Sequence, residues 1–167
     1  MGYQEHKKFE AKNLGCAVII ISDSRTEKND ESGKLIKQRL TDNGHSIYYY
    51  SILKNDAPTI KSKILELIRQ DNLQVIITSG GTGLSKRDVT VDTVQPMLEK
   101  LLEGFGELFR SLSYQDIGAG SIMSRAIAGV IDSKIIICIP GSLGAVTLAI
   151  DKIILPEIGH MVREATR

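Results

Sequence analysis

Tryptophan is absent from this chain, and aromatic residues of all kinds make up only 5% of it. Single-stranded nucleic acids are held on aromatic platforms, so a base-stacking binder is disfavoured. An excess of either charge is missing as well: 21 Lys and Arg stand against 20 Asp and Glu, for a net charge of +1. No nucleic acid is therefore expected as a partner. Cysteine is scarce. Cys16 and Cys138 each lie in or beside a β-branched run, which reads as two small buried hydrophobes and gives no disulfide framework. His6, His45 and His160 are far apart and show no metal-ligand spacing, and there is neither a nucleophile elbow nor a Cys-His pair. No stretch is apolar enough to span a bilayer and no secretory segment opens the chain, so no membrane partner and a cytoplasmic location are expected.

What is present is ordinary for a globular domain: 42% apolar and 25% charged residues in a chain of 167. That length buries a core without disulfides or a structural metal. Residues 1–13 are polar and read as a flexible arm, and residues 14–167 as one domain. Four apolar runs read as strands: Cys16–Ser22, Ser46–Leu53, Gln74–Thr78 and Lys134–Pro140. Between them lie helical patterns. One covers Glu31–Asn43 and stops at Gly44; a second has Pro58 in its first turn and an apolar face of Ile60, Ile64, Leu67 and Ile68. A third, "VDTVQPMLEKLLEG", takes Thr90 as N-cap and Asp92 in its first turn, with an irregular start at Pro96. From Phe105 to Ile131 helical pieces alternate with breaks at Gly118, Gly120 and Gly129. Leu143, Val146, Ile150, Ile153 and Ile154 form a last stripe that Pro156 stops, and a short helix follows. The alternation predicts an α/β fold: a three-layer α/β/α sandwich with a mostly parallel central sheet.

In such folds ligands bind at the carboxyl ends of the strands. After the first strand comes Ser22-Asp23-Ser24-Arg25, after the second Asn55-Asp56, after the third "SGGTG" ending at Asp88, and after the last Pro140-Gly141-Ser142. Four such loops on one rim suggest a polar cleft. Gly80, Gly81 and Gly83 tolerate positive φ, which lets consecutive N–H groups converge on an anion, and Ser79 and Thr82 add hydroxyls. Taken alone, the loop fits a tight turn equally well. It lacks the Gly-Lys-Ser/Thr ending of a P-loop, and its place after the third strand does not suit a dinucleotide fingerprint.

An acid beside an anion cradle calls for a cation. Mg²⁺ shared between phosphates and Asp88, with Asp56 or Asp23 as second carboxylate, would supply it. The plainer reading of Asp88 is a helix-start acid, and of Asp23 a loop cap. Arg125 next to Ser124 suits a bidentate phosphate clamp or, more plainly, an ion pair. Ser142 opens a helix and suits either capping or an anion.

The stretches "SDSR", "TSGGTGLSKRDVT", "GFGELFRSLSYQDIGAGSIMSRAIAGV" and "IPGSLGAV" resemble, in this order, the molybdenum-cofactor biosynthesis proteins of the MogA/MoaB type, and "FRSLSYQDIG" tilts the resemblance to the MoaB branch. It runs from about Gly15 to Pro156. The resemblance implies a Rossmann-like molybdopterin-binding fold, an adenylyl transfer from MgATP to molybdopterin, a trimer or hexamer, and a downstream metal-insertion protein as partner. It assigns phosphate binding to Gly80, Gly81, Thr82 and Gly83 with Ser79 beside them, pocket positions to Ser124, Gly141 and Ser142, and less firmly to Asp23 and Arg25. It makes Asp88 a catalytic, Mg²⁺-binding acid. The family's acid pair after the second strand reads Asn55-Asp56 here, so that the first acid has become a neutral amide and Asp56 matches the second.

Overall fold

A computed structural model of the protein describes residues 10–167; residues 1–9 of the expected arm lie outside them. Six strands form one sheet in the order β2-β1-β3-β6-β5-β4. Four of them are the apolar runs: β1 (Gly15–Ile21), β2 (Ser46–Leu53), β3 (Val75–Ser79) and β6 (Lys134–Ile139). They pair in parallel, β2 with β1, β1 with β3 and β3 with β6. In β1 every side chain is buried, because both faces of the sheet are covered. Cys16, Val18 and Ile20 point to one apolar cluster, and Ala17, Ile19 and Ile21 to the other.

Helices α1 (Glu31–Asp42) and α2 (Ala57–Leu67) lie where the periodicity places them. Ile60, Ile64 and Leu67 of α2 are buried on one face of the sheet, and Ile36 and Leu40 of α1 on the other. The third expected helix is cut short. The helix α3 (Thr90–Val94) has Val89, not Thr90, at its N-cap and gives way to a 3-10 turn, Gln95–Met97, that holds Pro96. Proline has no N–H for the helical ladder, so the chain leaves the helix at that point.

Two strands were not foreseen. The short β4 (Lys100–Leu101) pairs antiparallel with β5 (Ile127–Ile131), which forms a hairpin with β6. The hairpin turn is Asp132-Ser133, with φ of +48° and +60°. Two-residue turns of that kind favour glycine or asparagine, so Asp-Ser carried little signal. Helix α4 (Glu103–Ile117) and a 3-10 segment to Met123 fill the span between β4 and β5. After β6 come α5 (Leu143–Ala149), a π-helical turn at Ile150–Ile154, and α6 (Leu155–Ala165), with Pro156 in its first turn. Pro156 therefore does not stop the helical run; it sits in the first turn of α6, a helix of 11 residues that follows the π-helical turn without a break. Leu143, expected in the buried stripe, is exposed, whereas Val146, Ile150, Ile153 and Ile154 are buried.

Each covered face completes a layer, giving the three-layer α/β/α sandwich. The chain passes from β1 outward to β2, then returns to the far side of β1 for β3. That reversal opens a crevice at the carboxyl ends of β1 and β3, where open α/β sheets bind ligands.

Candidate active site

The loop after β3 is the centre of this crevice. Gly80 and Gly81 have φ of +109° and +66°, a pair of left-handed positions that side chains resist. A Cβ on Gly80 would stand 2.2 Å from the carbonyl oxygen of Ile21, and one on Gly81 would stand 2.3 Å from Thr90 Oγ1. The glycines are needed for conformation and for close approach together. Thr90 explains the loop's orientation. Its hydroxyl donates to the Gly80 carbonyl at 2.9 Å and its amide to the Gly81 carbonyl at 3.0 Å. In a trans peptide the N–H points opposite to the C=O, so the amides of Gly81 and Thr82 are aimed away from Thr90. Among the described residues, the amides of Gly81, Thr82 and Gly83 meet no protein acceptor. Three unsatisfied donors in a row on such a loop form an anion cradle.

The other loops close round it. Gly141 packs against Gly80, with only 3.2 Å between a Cβ placed on Gly141 and Gly80 Cα. The Gly141 carbonyl accepts from Arg25 Nη2 at 2.8 Å and Ser32 Oγ at 3.0 Å. Arg25 is in turn 3.5 Å from Asp30, a fully buried carboxylate that also accepts from Tyr50 Oη at 2.6 Å and the Gly33 amide at 2.9 Å. Sequence reasoning missed Asp30, Ser32, Tyr50 and the true role of Thr90. An acid at the N-cap of α1 gave no chemical signal of its own.

Asp23 is one of two carboxylates beside the loop, with Asp88. Its Oδ1 accepts the Asn55 amide at 3.1 Å and its Oδ2 meets Arg87 Nη2 at 2.9 Å. The Asn55 amide, assisted by the Asn55 side chain, Arg87 and Lys54, holds its carboxyl below the usual range. Asn55 leans on the glycine loop: its Oδ1 lies 2.6 Å from where a Gly81 Cβ would be, and is buried without a hydrogen-bond partner. Asp88 folds back so that Oδ2 accepts the Ser85 amide at 3.0 Å beside Gly83.

The remaining expected residues are placed differently. Asp56 is the N-cap of α2, accepting from the Thr59 amide at 3.0 Å and from the Thr59 hydroxyl, which depresses its pKa. Its carboxylate is engaged at the helix start. Ser79 is fully buried and donates to the Pro140 carbonyl at 3.2 Å, tying β3 to β6. Ser142 caps α5 through the Ala145 amide. Ser124 Oγ accepts the Ala126 amide at 3.3 Å. Arg125 takes the plainer of its two readings, an ion pair with Asp92 at 2.9 Å. A concavity of about 580 Å³ lies behind the loop at Arg125, Arg110 and Glu107, and another of about 780 Å³ along α6. Neither is lined by a glycine of the cradle.

Fold and site define a class: an open α/β domain with an anion-binding glycine loop at its topological switch point. Residues 17–160 match the family described as "Probable molybdopterin binding domain". Molybdenum cofactor biosynthesis protein B of Bacillus cereus is 45% identical over 168 residues, covering 100% of this chain and 99% of that protein. A crystal structure of a molybdenum cofactor biosynthesis protein B superposes with a TM-score of 0.90 at 45% identity, over 93% of this chain and 98% of the other. The tungsten cofactor synthesizing protein MoaB from Pyrococcus furiosus gives 0.85 at 34% identity, over 93% and 99%. The chain belongs to the molybdopterin-binding-domain family, on its MoaB branch.

Proposed function

We propose that this chain transfers the adenylyl group of ATP to the terminal phosphate of molybdopterin. The observation that carries the proposal is the row of unpartnered amides at Gly81, Thr82 and Gly83, flanked by Asp23, Asn55 and Asp88. A pterin phosphate oxygen attacks the α-phosphorus, the α–β phosphoanhydride bond breaks, and pyrophosphate leaves. A phosphate monoester is already ionised near neutral pH, so no general base is needed, and the protein's work is orientation and charge stabilisation. The cradle would hold phosphate oxygens, and the Ser142 N–H is aimed opposite to the pinned Gly141 carbonyl.

The residues fit magnesium as a substrate-shared ion. Asn55 Oδ1 is an orphaned hard oxygen next to the Asp23 carboxylate, and Mg²⁺ typically takes one or two protein oxygens plus phosphates. No group of three His, Cys, Asp or Glu among the described residues would hold a metal unaided. Asp23, Asn55 and Asp88 would hold the ion, and its chemistry is neutralisation of phosphate charge.

The same reading places the protein in the cytoplasm and hands its product to a metal-insertion protein for loading with molybdate or tungstate; no helix among the described residues is long and apolar enough to cross a membrane. It also includes a trimer or hexamer. Leu101, Leu102 and Leu108 line the 780 Å³ groove and are 40–46% exposed, an apolar strip that a second copy would cover.

A second reading, a molybdopterin or nucleotide binder without turnover, is favoured by one observation: Asn55 is neutral and Asp56 is committed to capping. The deciding experiment incubates purified protein with MgATP and molybdopterin. Adenylylated molybdopterin with equimolar pyrophosphate supports transfer. Binding without product, together with product formed by Asn55→Asp, would establish the second reading.

A further inference from the structure

Arg125 lies between the 3-10 segment ending at Met123 and β5, and its guanidinium is engaged inside the protein. Nε donates to the Thr82 carbonyl at 3.3 Å and Nη2 to the Asp88 carbonyl at 3.2 Å. Nη1 and Nη2 grip the two carboxylate oxygens of Asp92 at 2.9 and 3.0 Å. Four hydrogen bonds leave little of the five-donor fork for a ligand. Thr82 and Asp88 are the two ends of the segment that carries Gly83 and folds Asp88 back on Ser85. One rigid, planar group thus fixes the distance between those ends and ties both to the first turn of α3.

We propose that Arg125 is a positioning residue: a strut behind the glycine loop that sets where the Gly83 amide and the Asp88 carboxylate stand, without touching the ligand. The proposal rests on reading the loop as the phosphate cradle. The two carbonyl bonds are its essential part. The Asp92 side chain is 65% exposed, and an ion pair at that exposure contributes little by itself, whereas the Arg125 side chain is 29% exposed. Asp92 serves to turn the fork so that its other edge faces the loop. Lysine has a point charge and no fork, so it cannot span both carbonyls.

The test reads the loop without any ligand. The Ser85 amide bonds to Asp88, the Asp88 amide to the Ser85 carbonyl, and the Thr90 amide to Gly81, so hydrogen exchange at these three sites reports loop closure. Arg125→Lys is expected to speed their exchange by about tenfold or more, with amides in β1 unchanged, and Asp92→Asn to speed it by about two- to fivefold. Exchange within twofold of wild type in Arg125→Lys would overturn the strut. Should that variant not fold, Asp92→Asn decides on the same criterion at its own expected range, since an exposed carboxylate is dispensable for folding. Calorimetry with inorganic pyrophosphate separates a strut from a ligand clamp held in reserve. A strut predicts equal or weaker binding by Asp92→Asn; binding more than about threefold tighter, from a released Arg125, overturns the proposal. Because exchange is measured on the free protein, an unchanged loop sinks the strut alone, and an inactive wild type sinks the transferase reading alone.

Discussion

Arg25 and Gly141 are 116 residues apart in sequence, yet Arg25 Nη2 stands 2.8 Å from the Gly141 carbonyl oxygen. The contact depends on Asp30, whose buried carboxylate faces Arg25 at 3.5 Å and accepts from Tyr50 and Gly33. Asp30→Asn removes the charge and one acceptor from this network. It is expected to lower unfolding free energy by about 1–3 kcal/mol in urea titrations, the range for leaving buried polar groups unsatisfied. Asp151→Asn, which breaks the half-exposed pair with Arg39, is the control and should cost less than about 1 kcal/mol. Equal costs for the two would show that the Asp30 network holds nothing together.

Gly81 and Gly104 offer a matched comparison. Gly81→Ala puts a methyl group 2.3 Å from Thr90 Oγ1 at φ +66°, and should destabilise by about 1–3 kcal/mol while opening the cradle. Gly104 lies in α4 with nothing within 4 Å of its would-be Cβ. Gly104→Ala should stabilise by about 0.5–1 kcal/mol. Thermal unfolding of the two variants gives shifts of opposite sign, and a stabilised Gly81→Ala would contradict the loop geometry described above.

The carboxylates at Asp88 and Asp56 should separate in assays of pyrophosphate release. Asp88→Asn is expected to lower turnover by about two to four orders of magnitude, the scale of lost electrostatic stabilisation at a reacting phosphate. Asp56→Ala removes a cap and should cost about 1 kcal/mol of stability with turnover changed less than about threefold. Similar turnover losses in both would return Asp56 to the catalytic set.

His45 predicts a pH dependence. Its Nδ1 accepts the Leu14 amide at 3.2 Å, which requires the neutral ring, and burial lowers its pKa against a weaker opposing pull from Glu10. The unfolded chain takes up this proton near pH 6.5, about the ordinary histidine value, before the folded chain does. Its contribution is thus intact above that pH and is lost as pH falls toward the depressed folded value. His45→Gln keeps an acceptor for Leu14 and removes the titration. Its unfolding free energy should fall less than that of wild type between about pH 7.5 and about pH 5.5. Identical slopes in urea unfolding would show that His45 is not protected from protonation.

Much of this was legible from the chain itself, and the boundary has a physical cause. The runs that became β1, β3 and β6 are apolar because both faces of the sheet are covered there, and β2, a half-buried edge strand, is rich in Ile, Leu and Tyr, so composition alone marked all four within a residue or so. The glycine loop was marked by the residues its φ angles demand. β4 and β5 are short antiparallel strands whose existence depends on tertiary pairing, β5 with β6 and β4 with β5, and the turn residues Asp132 and Ser133 hold left-handed conformations without the usual side chains. For candidate residues such as Asp56, Ser79 and Arg125 the sequence could not say which way a side chain turns. Thr59, Pro140 and Asp92 decide that, and each acts through a hydrogen bond set by the local or tertiary fold.

The order in which the strands enter the sheet has a bearing on synthesis. β3 follows β1 and β2 closely, but its other neighbour, β6, begins only at Lys134. Until that strand arrives, Val75 to Ser79 expose a row of unpaired backbone groups on a strand that is fully buried in the finished fold. A nascent chain at that stage is open to pairing with other chains, and long-range parallel pairing of this kind is slow. The Gly141 loop is delivered by the same late strand, so the ability to bind a ligand at the rim marks a molecule that has finished folding.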